Sequence, residues 1–161
     1  MSNRAAPPGL EYVFTIKCEL DLVAKRRFGP LPDGATTTGF TPISGGTIEG
    51  PRLNGRVLPY SGADYPLTWP DGTMFFRAHY MLEATDGTVI GMKNRGVMTG
   101  PKDVLDKLAR RELVSSDRYY QRLAPEFEVA AGPHDWLMRS IIVGNVDRGV
   151  AYTAFHYYRV T

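Results

Sequence analysis

The sequence predicts an all-β protein, a single antiparallel barrel of about eight to ten strands with one short α-helix near residues 101–110. Three observations carry that expectation. Short runs of alternating apolar and polar residues recur along most of the chain. Glycine and proline, 17 and 12 residues respectively, punctuate those runs. One segment alone has helical rather than alternating periodicity.

Residues 1–9 carry no periodic pattern and are expected to be a flexible N-terminus on a single domain spanning 1–161. In the opening strand Tyr12, Phe14, Ile16, Cys18 and Leu20 alternate with Val13, Thr15, Lys17 and Glu19, the period-two signature of a half-buried strand. Residues 21–39 contain Gly29-Pro30 and Pro32-Asp33-Gly34 and read as a long loop, of the kind that forms a lid or a mouth. Further strands are expected at 40–48, 52–58, 65–69, 74–84 and 88–97, the last two joined by a hairpin at Asp86-Gly87, where glycine supplies positive φ cheaply. The helix follows. Pro101 stands at its first position, and Val104, Leu105 and Leu108 share one face. Its charges, Lys102 with Asp106 and Asp106 with Arg110, are four apart and read as a solvated face. The remaining strands are expected at 119–123, 127–130, 137–143 and 150–160. Both terminal strands are apolar enough to need neighbours, and pairing them removes two exposed edges, which favours a closed barrel.

A chain of 161 residues is the size of one domain and can bury a real core. With 43% apolar and 22% charged residues it matches neither a disordered segment nor a membrane span. The first ten residues lack the apolar stretch of a signal peptide, and a lone cysteine, Cys18, cannot form an internal disulfide, so a cytoplasmic location is expected. On its apolar face Cys18 reads as core. The net charge is +2, and the tight basic cluster Lys25-Arg26-Arg27 falls in the long loop. Neither nucleic acid nor a membrane is an expected partner, and a homodimer is expected from base rates alone.

A phosphate-binding glycine loop, a nucleophile elbow and an HExxH motif are all missing. His79, His134 and His156 could join Glu83 as metal ligands, but the His-x-His spacing of barrel metal sites is absent. The expectation is therefore no metal and no cofactor. The hairpin has two faces of opposite character. Phe76, Ala78, Tyr80, Leu82, Ile90 and Met92 share one; Arg77, His79, Met81, Glu83, Lys93 and Arg95 share the other. Parity leaves open which looks inward. The ordinary reading sends the charged face to water, and the alternative is a polar lumen in which His79 and Arg95 surround a ligand.

The runs "ISGGTIEGPRLNGRVLPYSGADY", "DGTVIGMKNRG", "SSDRYYQR", "WLMRSIIVG" and "YYRV" occur together and in order. Over Leu10 to Val160 they resemble the domain of unknown function 3237 family, also called uncharacterised protein family 0311. The resemblance implies a small antiparallel β-barrel and supplies no general activity. The family's Gly-Arg-Val-Leu-Pro run and Gly-Ala-Asp corner are met by Gly55, Arg56, Val57, Leu58, Pro59, Gly62, Ala63 and Asp64, and its Asn-Arg-Gly by Asn94, Arg95 and Gly96. Three positions depart from the pattern. His79 replaces an arginine, Gln121-Arg122 replaces Phe-Arg, and Met138 replaces the asparagine of Trp-Leu-Asn. An imidazole in place of a guanidinium introduces a group that exchanges protons near neutral pH. Methionine in place of asparagine makes the surroundings oilier.

The resulting expectation is a cofactor-independent acid/base enzyme of lyase, isomerase, cyclase or hydratase type. Its substrate would be a small oxygenated hydrophobic molecule, aromatic or polyketide-like, held in a barrel pocket. Asp64 in a glycine-rich corner is by itself an ordinary turn residue. Placed at a barrel mouth with His79, it becomes a proton-transfer pair, with Arg56 and Arg95 holding a carbonyl, enolate or carboxylate. Tyr80 and Asn94 join the substrate-binding set, and Tyr120, Trp136 and Met138 are the expected apolar walls. Two rivals remain: a barrel that binds a small hydrophobic ligand without changing it, and a structural or partner-binding module.

Overall fold

The computed structural model describes residues 4–149 and 152–161. Its elements in order are β1 (Leu10–Leu20), β2 (Arg26–Phe28), β3 (Thr37–Glu49), β4 (Gly55–Val57), β5 (Ala63–Asp64), β6 (Leu67–Thr68), β7 (Met74–Ala84), β8 (Val89–Thr99), α1 (Lys102–Ala109), β9 (Tyr120–Leu123), β10 (Glu126–Val129), β11 (Ile142–Arg148) and β12 (Thr153–Val160). No helix among the described residues is long and apolar enough to cross a membrane.

All pairings are antiparallel, and they close into a ring. β1 pairs with β12 on one side and β3 on the other. The short segments β4, β5 and β6 together bridge β3 to β7. β7 pairs with β8 along their length, and β9 and β10 run in succession along β8. β9 then meets β11, and β11 meets β12. Counting β4–β6 and β9–β10 as one interrupted strand each, the barrel has eight staves. The chain ends are clasped at this seam: Gly9 and Thr161 exchange backbone hydrogen bonds of 3.1 and 3.0 Å. Residues 4–8 ahead of the clasp have no regular structure and are exposed.

The two ends of the barrel are filled differently. One is packed by Phe14, Ile16, Ile48, Leu82, Ile90, Met92, Phe127 and Tyr157, with Phe14 and Tyr157 ring centroids 5.0 Å apart. At the other, α1 lies across the mouth, where Val104, Leu105 and Leu108 form a separate cluster with Met98. The space between these two plugs is not filled by side chains, and the site lies there.

Several elements differ from the pattern in the sequence. The 21–39 stretch contains β2, which pairs with an early extension of β3. The 52–58 and 65–69 runs shrink to the short bridges β4 and β6, with β5 between them. No continuous strand forms at 137–143. Asp135–Leu137 is a 3-10 turn that buries Leu137, and β11 begins only at Ile142, because the run Leu137-Met138-Arg139-Ser140 does not alternate. At the hairpin, Gly87 takes φ +86° while Asp86 stays at negative φ, so the connection closes with a single left-handed glycine rather than a primed two-residue turn. Of the expected last strand, Val150 and Ala151 lie outside the described residues.

Candidate functional site

The hairpin register decides which side chains look inward. Tyr80 faces Met92 and Ala78 faces Asn94 across β7–β8, and all four are buried. The apolar face of the hairpin therefore lines the barrel. The charged face meets water, where Arg56 bonds Glu83 at 3.0 Å and Lys93 and Arg95 lie 3.7 and 3.9 Å from Glu128 and Glu126.

Asp64 reaches the interior by the same logic. β5 is held between β3 and β7, with Asp64 opposite Thr41 on one side and Ala78 on the other. Gly62 makes this possible: a Cβ there would collide with the carbonyl oxygen of His79. The backbone N–H of Arg77 donates to Asp64 Oδ1 at 3.0 Å. Asp64 opens onto a cavity of about 260 Å³ bounded by strands β1, β3, β7, β8, β9, β11 and β12, the 21–28 segment and α1. That volume sits just under the roughly 300–1,000 Å³ of typical small-molecule sites.

The walls are largely apolar, with Ile43, Phe76, Met98, Leu105, Leu123 and Phe155 prominent. Set into them are Thr41, Tyr80, Asn94 and Gln121, together with the cations Lys25, Arg27, Arg111 and Arg148. Arg148 Nε donates to Gln121 Oε1 at 3.1 Å, and its guanidinium lies 5.7 Å from the centre of the Phe76 ring. Arg27 donates to Thr41 Oγ1 at 3.4 Å. Burial pushes the Asp64 carboxyl above its ordinary value, against the lowering effects of the Arg77 N–H bond and of Arg27 and Arg148. Burial also pushes the Tyr80 and Tyr157 phenols well up, so both stay protonated donors. Among the described residues Gln121 Nε2 is buried without a hydrogen-bond partner, and the Tyr80 hydroxyl and Asn94 side chain lie beside the Tyr157 hydroxyl with Tyr80 Oη and Asn94 Oδ1 short of well-aligned bonds. Orphaned polar atoms facing a cavity are groups a bound molecule can satisfy.

Of the residues expected from the sequence, Asp64, Tyr80 and Asn94 line this cavity. The others do not. His79 lies on the outer face and is exposed, because register places Ala78 rather than His79 on the Asp64 side of the wall. The Asp64–His79 pair therefore does not form. Arg56 and Arg95 are on the same outer face, held by Glu83 and near Glu126. Tyr120 points outward beside Arg122, half exposed. Trp136 packs at the filled end against Phe14 and under Arg52, whose guanidinium lies 4.1 Å from the ring centre. Met138 is exposed, and its Sδ accepts the Val129 N–H. Cys18 lines the cavity, but burial pushes its thiol up to about 12, which suits core rather than nucleophile. The remaining histidines are separate, His134 on Asp86 and His156 on Asp147.

A family model described as "Protein of unknown function (DUF3237)" matches residues 8–160. The chain belongs to this family. DUF3237 relatives include a UPF0311 protein of Rhodopseudomonas palustris, 36% identical over 143 residues that cover 88% of this chain and 90% of that one. The crystal structure of a conserved protein of unknown function from the same organism superposes with a TM-score of 0.87 at 30% identity, covering 98% of this chain and all of that one. A "beta-barrel like protein" of Acinetobacter baumannii gives a TM-score of 0.84 at 28% identity, covering 99% and 100%. Beyond these DUF3237-like barrels, a protein of Penicillium herquei described as an enzyme shares the fold, with a TM-score of 0.72 at 18% identity over the full length of both chains.

Proposed function

We propose that this DUF3237 barrel is a cofactor-independent acid/base enzyme acting on a small oxygenated hydrophobic molecule, with Asp64 as the proton-transfer group. One observation carries the reading: a carboxyl whose proton affinity is raised by burial faces an apolar-walled cavity beside two guanidinium groups. A raised carboxyl is a stronger base, and positioned acid/base groups contribute about a hundred- to ten-thousandfold. In the reaction the carboxylate takes a proton from carbon next to a carbonyl. The C–H electron pair moves onto the carbonyl oxygen, and Arg27 or Arg148 stabilises the enolate so formed. Return of the proton to another carbon completes an isomerisation. Where the enolate instead expels a hydroxyl from the next carbon, that oxygen leaves with the electron pair and the proton as water. Where the enolate attacks an electrophilic carbon of the same molecule, a ring closes and the proton goes to the acceptor's oxygen, each without any electron carrier. At the level of fold, the description of the Penicillium herquei protein as an enzyme supports a catalytic reading.

Solvent deuterium exchange tests this. A panel of small aromatic ketones in D2O, followed by proton NMR, is expected to show enzyme-dependent exchange next to the carbonyl. Asp64→Asn is expected to slow it at least about a hundredfold while retaining ligand binding. His79→Ala, on the outer face, is expected to stay within about twofold of the parent. Tight binding with no exchange in the parent protein would favour the carrier reading, which the largely apolar walls also support.

A further inference from the structure

The cavity carries positive charge that the protein itself balances only in part. Lys25, Arg27, Arg111 and Arg148 all line it, against the carboxylates Asp64 and Asp106. Asp106 is already engaged by Lys102 at 3.1 Å. Among the described residues none of the four cations takes part in a salt bridge. They also repel one another: burial and then Arg27, Arg111 and Arg148 lower the proton affinity of Lys25. Lys25 and Arg27 keep contact with solvent while Arg111 and Arg148 are half-buried, and an anion placed among the four would relieve their mutual repulsion.

Arg111 adds an independent sign. Its backbone sits at φ +60°, directly after α1. Its N–H reaches Leu108 O and the Glu112 N–H reaches Lys107 O, both at 3.0 Å, the paired bonds of a Schellman ending. Glycine is the residue that this position favours. An arginine there accepts strain, and its side chain is delivered to the cavity.

We propose that the ligand of this barrel is a small hydrophobic carboxylic acid bound as its anion, with the carboxylate held at the mouth by Lys25 and Arg111 and the apolar body directed inward towards Phe76 and Met98. The proposal rests on the reading of the cavity as the site of action and adds the substrate class. A guanidinium offers a planar fork that matches a carboxylate. A singly charged head suits the place better than a dianionic phosphate, because Asp64 faces the same space and the flanking hydrocarbon makes each extra charge costly.

Isothermal titration of the full chain with naphthoate, its neutral amide and naphthyl phosphate, at one ionic strength, tests the assignment. Naphthoate is expected to bind at least about tenfold more tightly than the amide, and more tightly than the phosphate. Arg111→Gly is expected to erase most of that preference while leaving the urea midpoint equal or higher, an outcome that a purely structural arginine would not give. Lys25→Met is expected to weaken the preference as well, and Arg111→Lys to restore part of it. Equal or tighter binding of the amide, tighter binding of the phosphate, no binding of any probe, or an unchanged preference in Arg111→Gly each overturns the proposal. Deuterium exchange followed in aromatic keto acids alongside the neutral ketones reports on Asp64 whatever the anion preference, so a failure of the acid/base reading is seen apart from a failure here.

Discussion

Asp64 acquires its chemistry from the side of the wall it occupies, since the same residue one position along would face water. Its carboxyl is raised in the fold, so the protonated form favours folding. That contribution is complete below the ordinary value of 3.8 and is lost as pH rises through the raised value. Asp64→Asn, which carries no charge to bury, is therefore expected to gain stability relative to the parent as pH increases. Urea midpoints measured from about pH 4 to about pH 7 should show the gap widening in favour of the variant. A constant gap would place the carboxyl in a water-like setting, and a shrinking one would mean that the fold stabilises its charged form instead. At this scale part of the site was legible. Arg148 continues the inward alternation of Ile142, Gly144 and Val146, and Gln121 shares parity with Leu123, so both could have been found by counting in twos. The opposition of Asp64 and His79 could not, because it depends on cross-strand register, which the corner residues do not encode locally.

Among elements, legibility follows length. β1, β7, β8 and α1 repeat their period often enough to be read directly, and the apolar cluster of α1 is the one that closes the mouth. The bridge segments β4, β5 and β6 are two or three residues each, too short for any period. β2 is equally short and exposed, which is why Arg27 reads as part of a loop charge cluster rather than as a cavity residue. What fixes β5 instead is close backbone approach at Gly62. Gly62→Ala is expected to push the corner away from β7, costing about 1–3 kcal/mol in urea denaturation and withdrawing Asp64 from the cavity. Deuterium exchange should fall with it. Full stability and full exchange in this variant would show that the corner is positioned by other contacts.

Across the whole molecule, the closed topology was legible from the apolar terminal strands, while the division into a packed end and a hollow end was not. Both ends draw on the same alternating residues, and volume filling depends on which bulky side chains meet in one layer. The division has an energetic signature. Leu82→Ala, in the packed end, is expected to cost about 2–5 kcal/mol because a cavity opens where neighbours cannot collapse. Phe76→Leu, beside space that is already open, is expected to cost under about 1.5 kcal/mol. Thermal or urea melts of the two variants measure the contrast, and equal losses would mean that the hollow is filled in solution. The seam between β1 and β12, clasped by Gly9 and Thr161, reaches further still. The first stave waits for the last, so on the ribosome the ring cannot shut until β12 has cleared the exit tunnel. Until then β1 presents a free edge, and the nascent barrel depends on its long central hairpin to keep order.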